Sequence, residues 1–139
     1  MVNRPMSEIV HGQKLLTLPP NTSVQEACKH MHARRVGAVV VTDESRRPLG
    51  IFTGRDAVHC LAGSLDPDRT ELQSAMTRDP HVLGPETKAI DALRLMRDAG
   101  FRHIPVVRDG VVIGIVSRED FRGLERDRLE EEIALWERI

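Results

Sequence analysis

The chain has 139 residues, 40% of them hydrophobic and 29% charged, with a formal net charge of −1, which suits one globular domain or two half-size units sharing a core. So balanced a charge gives no long-range pull toward nucleic acid or an anionic membrane, and no apolar run approaches the length of a membrane span. Aromatic residues make up only 3%, so the core has to be built from Val, Ile, Leu, Ala and Met. The opening MVNRPMSEIVHG has no apolar signal core, and a cytoplasmic location is expected.

In chain order, a short extended stretch at Leu15–Leu18 ends in a Pro turn, and a helix headed by Thr22 follows and stops near Arg35. Two strands come next, GAVVVTD and LGIFT, joined by a loop containing Arg47-Pro48, and a second helix starts at Asp56. Residues 63–70, GSLDPDRT, read as a linker. ELQSAMTRDP then resumes structure, and the order repeats. His81–Leu83 is extended, and a helix headed by Thr87 carries Ala89, Ile90, Leu93 and Met96 on one face and stops at Gly100. The strands HIPVVRD and VVIGIVS meet across Asp109-Gly110, a strong hairpin signal, and a second helix is expected from Asp120.

The two halves align residue by residue: Leu18 with Leu83, Pro20 with Pro85, Thr22 with Thr87, Ala27 with Ala92, Met31 with Met96, and Gly50-Ile51 with Gly114-Ile115. The fold class is therefore α/β (α+β), two β-α-β-β-α repeats spanning 7–65 and 66–123. A unit of about sixty residues buries too little surface alone, so the repeats are expected to pack about a pseudo-twofold axis. Residues 124–139 form an amphipathic helix with Leu129, Ile133, Trp136 and Ile139 on one face. That helix either packs on its own module or supplies a dimer or partner contact.

The chemistry-bearing motif is GIFTGRD at 50–56, copied as GIVSRED at 114–120. Thr53-x-x-Asp56 and Ser117-x-x-Asp120 are good helix starts, with the hydroxyl at the N-cap and the carboxylate at the third position. A helix start also presents N–H groups to an anion, so capping and ligand contact are compatible. His30 and His32 point to different helix faces, and His11, His81 and His103 lack sequence-local partners, so no metal is expected. Cys28 and Cys60 read as buried thiols or, if close enough, as a redox pair. There is no nucleophile elbow, P-loop or dinucleotide fingerprint, and no enzymatic activity is expected.

The duplicated pattern, with RPLGIFTGRDAVHCLAG and FRHIPVVRDGVVIGIVSREDFRGL as its most specific stretches, resembles a tandem pair of cystathionine-β-synthase-type (CBS) domains, a Bateman module. The resemblance implies a regulatory module for AMP, ADP, ATP or S-adenosylmethionine, needing no cofactor and commonly forming homodimers that an effector protein reads. It also implies that Asp56 and Asp120 hydrogen-bond ribose while Thr53 and Ser117 orient ribose or phosphate. Its pockets are crossed: Thr53 and Asp56 go with His81, Val82, Leu83, Arg102, His103 and Ile104. Ser117 and Asp120 go with Leu16, Thr17, Leu18, Val36, Gly37 and Ala38. Arg55 and Arg118 add charge beside each carboxylate. Arg102 and His103 are either phosphate ligands or solvated residues at a strand start. If they bind phosphate, phosphorylated nucleotides favour the Asp56 pocket, because Val36 and Gly37 hold the equivalent places in the other. The alternative reading is an interaction module with vestigial pockets; a nucleic-acid-binding module is disfavoured by the charge.

Overall fold

A computed structural model describes residues 3–121 and 123–137. In chain order the elements are α1 (Met6–Ile9), β1 (Thr17–Leu18), α2 (Val24–Arg34), β2 (Ala38–Thr42), β3 (Pro48–Thr53), α3 (Gly54–Ala62), α4 (Leu72–Ala75), β4 (Thr77–Arg78), α5 (Ala89–Ala99), β5 (His103–Arg108), β6 (Val111–Ser117), a 3-10 turn (Arg118–Asp120) and α6 (Gly123–Glu137). The β-branched run of β2 is buried along its whole length, as suits a strand covered on both faces. It lies between β1, which runs parallel to it, and β3, which is antiparallel; β4 pairs with the outer edge of β3. In the second repeat β5 and β6 form a hairpin, and Leu83 makes the parallel bridge to Val106 that corresponds to β1–β2. Asp109 (φ 52°) and Gly110 (φ 81°) both take positive φ, the geometry of a type I′ turn that the Asp-Gly pair favours.

The chain divides into two compact units. The Asp56 unit comprises Lys14–His81 and Asp109–Val112; the Asp120 unit comprises the described residues of Met1–Gln13, Val82–Arg108 and Ile113–Ile139. Each has its own apolar core. Leu16, Val24, Ala27, Met31, Val39, Val41, Phe52, Cys60 and Leu72 fill the first. Met6, Val10, Ala89, Ile90, Leu93, Met96, Ile104, Val106, Val116, Phe121 and Leu129 belong to the second. Cys60 is buried in the first core with Cys28 packed against it, and both thiols are free. Burial pushes both thiols up in pKa, with Cys60 adding to the effect at Cys28 and Asp56 at Cys60.

Matched backbone bonds explain why each unit takes in a segment from outside its own β-α-β-β-α stretch. In the Asp56 unit, Val24 N–H donates to the Thr70 carbonyl and Leu72 N–H to the Thr22 carbonyl. In the Asp120 unit, Ala89 N–H donates to the Arg4 carbonyl and Met6 N–H to the Thr87 carbonyl. Thus α4 closes the first core through Leu72, and α1 closes the second through Met6, each with no exposed side-chain area. These bridges also move the helix starts. Thr22 and Thr87 lend carbonyls rather than side-chain caps; the N-cap of α2 is Ser23, whose hydroxyl accepts from Glu26 N–H. The N-cap of α5 is Lys88, and its side chain makes no cap bond; Asn3 Oδ1 accepts the Ile90 N–H instead, at 3.0 Å.

The second repeat departs from expectation after β6. Its helix begins at Gly123, not Asp120, because Phe121 turns to extended backbone (φ −89°, ψ 139°) and buries its ring in the core. In α6, Leu129 is buried and Ile133 packs against the same core, so this part of the helix packs on its own unit. Arg94 Nη2 of α5 donates to Glu132 at 2.7 Å. Trp136 is 75% exposed. Ile139, assigned to the same face by its spacing, lies outside the described residues.

Candidate functional site

Gly50 and Gly114, which open the two copied motifs, are fixed by space. A Cβ on Gly50 would stand 2.8 Å from the Thr77 carbonyl oxygen and overlap the Met76 side chain. On Gly114 it would overlap Val10 and come within 2.9 Å of Gln13 Oε1. The neighbours differ in kind: β4 lines the first strand, whereas the Gln13 side-chain amide stands in for a strand beside the second. Its Nε2 donates to the Ile115 carbonyl and its Oε1 accepts the Ile115 N–H, both at 2.8 Å.

At the end of β3, Asp56 Oδ2 accepts the Thr53 N–H at 2.9 Å and the Thr53 hydroxyl at 3.1 Å, while Thr53 Oγ1 accepts the Asp56 N–H at 3.3 Å. This reciprocal capping box opens α3 and fixes the carboxylate over the first turn. At the end of β6, Asp120 Oδ2 accepts the Ser117 N–H at 2.7 Å and its hydroxyl at 3.2 Å. Thr53, Asp56 and Ser117 are half-buried and Asp120 is exposed. Both carboxylates are thus pinned through one oxygen, in nearly the same way.

Each motif adjoins the start of the preceding strand of its own repeat. Gly54 N–H donates to the Gly37 carbonyl at 3.0 Å, and Arg118 N–H to the Arg102 carbonyl at 3.3 Å. Val36, Gly37 and Ala38 therefore stand with Thr53, Arg55 and Asp56, and Arg102, His103 and Ile104 stand with Ser117, Arg118 and Asp120. Ala38 is the register partner of Thr53. The side chains of Leu16 and Ile104 are buried in the cores, and the half-buried Leu83 and Val36 pack against them. His81, Val82, Arg55, Arg102 and Arg118 are exposed. Thr17 and Leu18 line a cleft of about 440 Å³ with Thr42, Asp43, Glu44 and Leu49.

Two residues absent from the sequence reading shape the Asp120 motif. Glu119 is within electrostatic reach of Arg102 and His103, and its carboxyl is held below the usual range first by a backbone N–H, with the charges of His103 and Arg102 adding. Arg4 donates through Nη2 to the Asp120 carbonyl at 3.0 Å. Its guanidinium is held above its ordinary pKa first by the hydrogen bond to Glu125, against the opposing effect of burial. No local sequence signal marks Arg4, since its partners are more than a hundred positions away. Among the described residues no group of three or more His, Cys, Asp or Glu side chains could hold a metal ion. No described helix is long and apolar enough to cross a membrane.

Comparison with known proteins places this arrangement. The CBS-domain protein CBSCBSPB3 of Arabidopsis thaliana is 42% identical over 105 residues, covering 75% of this chain and 19% of the plant protein. The chain therefore spans about a fifth of the plant relatives it matches. A CBS-domain protein of Agrobacterium tumefaciens, solved by crystallography, is 31% identical with a TM-score of 0.77, over 90% of this chain and 99% of its own. A CBS domain protein of Pyrobaculum aerophilum, solved in complex with AMP, shares the fold with a TM-score of 0.83 over 92% of this chain and 99% of its own, at 24% identity. The α/β fold is that of a Bateman module. With the CBS domain model matching residues 6–63 and again 71–126, the chain belongs to the CBS domain family and carries its domain as a tandem pair.

Proposed function

We propose that this protein is a non-catalytic regulatory module that binds an adenosine-containing ligand, AMP, ADP, ATP or S-adenosylmethionine, in the cytoplasm, and acts as a homodimer on an effector protein. The observation that carries the reading is the pair of matched carboxylates. Asp56 and Asp120 are each pinned through Oδ2 by a hydroxyl and an N–H, which orients the carboxylate. Such a group suits the two hydroxyls of a ribose. The complex of the Pyrobaculum protein with AMP, in the same fold, is consistent with that ligand class. Arg102 and His103 are the phosphate-contacting residues in this reading, with Glu119 in electrostatic reach of both. A ligand can bias the module only by its differential affinity for two states, so the signal is a change in the equilibrium between them.

The competing reading, a protein-interaction module with vestigial pockets, draws on the same bonds, since both carboxylates already serve as caps. Thermal-shift titration with the four ligands separates the two. Ligand binding raises the melting temperature with concentration, and Asp56→Ala and Asp120→Ala each remove part of the rise. No rise with any ligand favours the interaction module.

A further inference from the structure

Among the described residues, the most deeply buried charges outside the copied motifs are Arg4, 7% exposed, and Glu125, 0% exposed. Arg4 Nη2 reaches Glu125 Oε1 at 2.8 Å, Nε reaches Oε2 at 3.2 Å, and the Arg4 backbone N–H reaches Oε2 at 3.1 Å. A pair so buried is held by geometry rather than by charge alone. The same guanidinium has one further bond, to the carbonyl oxygen of Asp120. It joins the segment before α1, the first turn of α6, and the end of the turn that carries the proposed ribose carboxylate.

The two motifs need different support. Asp56 lies in the first turn of a nine-residue helix, where backbone bonds hold the peptide. Asp120 ends a three-residue 3-10 turn, and the backbone leaves helical geometry at Phe121. Its carbonyl takes the Arg4 bond, and the Arg126 guanidinium holds the Arg118 carbonyl at 2.6 Å. By the matched bridges, the counterpart of Arg4 in the Asp56 unit is Thr70, and its hydroxyl donates to the Asp66 carbonyl at 2.7 Å, away from the motif.

We propose that Arg4 is a positioning residue for the Asp120 site: through its fork between Glu125 and the Asp120 carbonyl, it sets the aim of the Asp120 carboxylate and thereby the affinity of that site alone. The proposal builds on the adenosine-ligand reading for its functional half and on hydrogen bonding for its structural half. Arg4→Lys keeps the charge opposite Glu125 but loses the planar fork that serves two acceptors.

The experiment uses the full chain. Hydrogen exchange in Arg4→Lys is expected to speed up about tenfold over residues 117–121 and to stay unchanged over residues 53–57. AMP titration then follows in two backgrounds. With Asp56→Ala, adding Arg4→Lys weakens AMP binding about tenfold; with Asp120→Ala, adding it changes nothing. Unchanged exchange at 117–121, or equal acceleration at both motifs, overturns the proposal, the latter because Arg4 would then act through general stability. Localised exchange together with no binding of AMP, ADP, ATP or S-adenosylmethionine to the wild type leaves the positioning role standing and removes the ligand reading. Should Arg4→Lys not fold, Glu125→Gln, which loosens the same fork while keeping its shape, is read by the same two measurements.

Discussion

Substituting Gly50 by Ala tests whether the copied glycine is a packing requirement. The added methyl would sit 2.8 Å from the Thr77 carbonyl oxygen and 2.8 Å from Met76 Cγ, and it would overlap the Met76 sulfur. The sulfur end of Met76 can swing aside, but the carbonyl belongs to β4 and sits at the register pair Ile51–Thr77. Relief therefore means parting β4 from β3 or twisting β3. Overpacking of this kind costs about 1–3 kcal/mol, and weakening one or two ladder bonds adds about 0.5–1.5 kcal/mol each. A loss of about 2–5 kcal/mol is expected, equivalent to a fall in Tm of roughly 6–20 °C for a chain of this size. Gly54 is the control, because a Cβ there meets nothing within 4 Å and it begins α3. Gly54→Ala should be neutral or gain up to about 1 kcal/mol from the reduced freedom of the unfolded chain. The assay is urea unfolding followed by circular dichroism. Equal midpoints for Gly50→Ala and wild type would refute the packing argument.

Three further outcomes are expected. Leu129→Ala should cost about 2–5 kcal/mol as a buried truncation, whereas Trp136→Ala should leave stability within about 0.5 kcal/mol; sedimentation of Trp136→Ala that shows loss of a dimer would assign the exposed ring to the subunit contact. Glu119 has a folded pKa below its unfolded value near 4.5, so its stabilising contribution is present above that value and fades as pH falls through the lower folded one. The stability gap between wild type and Glu119→Gln, measured by urea midpoints, should therefore be larger at pH 7 than at pH 3, and a gap independent of pH contradicts the assignment. Cys28 and Cys60, with thiols pushed up by burial, should react slowly with a disulfide reagent at pH 7 and quickly once urea unfolds the chain. Fast reaction of both in the native protein would place them at the surface.

The duplication was legible because each repeat carries its own local signals. The Asp109-Gly110 turn, the Gly100 helix stop and the buried run of β2 are written in adjacent residues, and each forms as read. The T-x-x-D and S-x-x-D pairs were legible as caps for the same reason: their partners lie three positions apart. The features missed depend on distant partners. Thr22 and Thr87 look like caps in isolation, but bridges to residues 72 and 6 draw their carbonyls outward and shift the helix start. The 3-10 turn before α6 follows from the burial of Phe121, which no helical propensity announces. Arg4 looks like an ordinary basic residue near the start of the chain, and its role arises only when α6 brings Glu125 to it.

The central claim is that the two copied carboxylates bind adenosine ligands. Its most direct test is calorimetric titration of AMP and ATP into wild type, Asp56→Asn, Asp120→Asn and the double variant, with Asn chosen to keep the shape of each cap. The account predicts saturable binding to wild type, a separate loss in each single variant, and none measurable in the double. Binding of undiminished affinity to the double variant would contradict it.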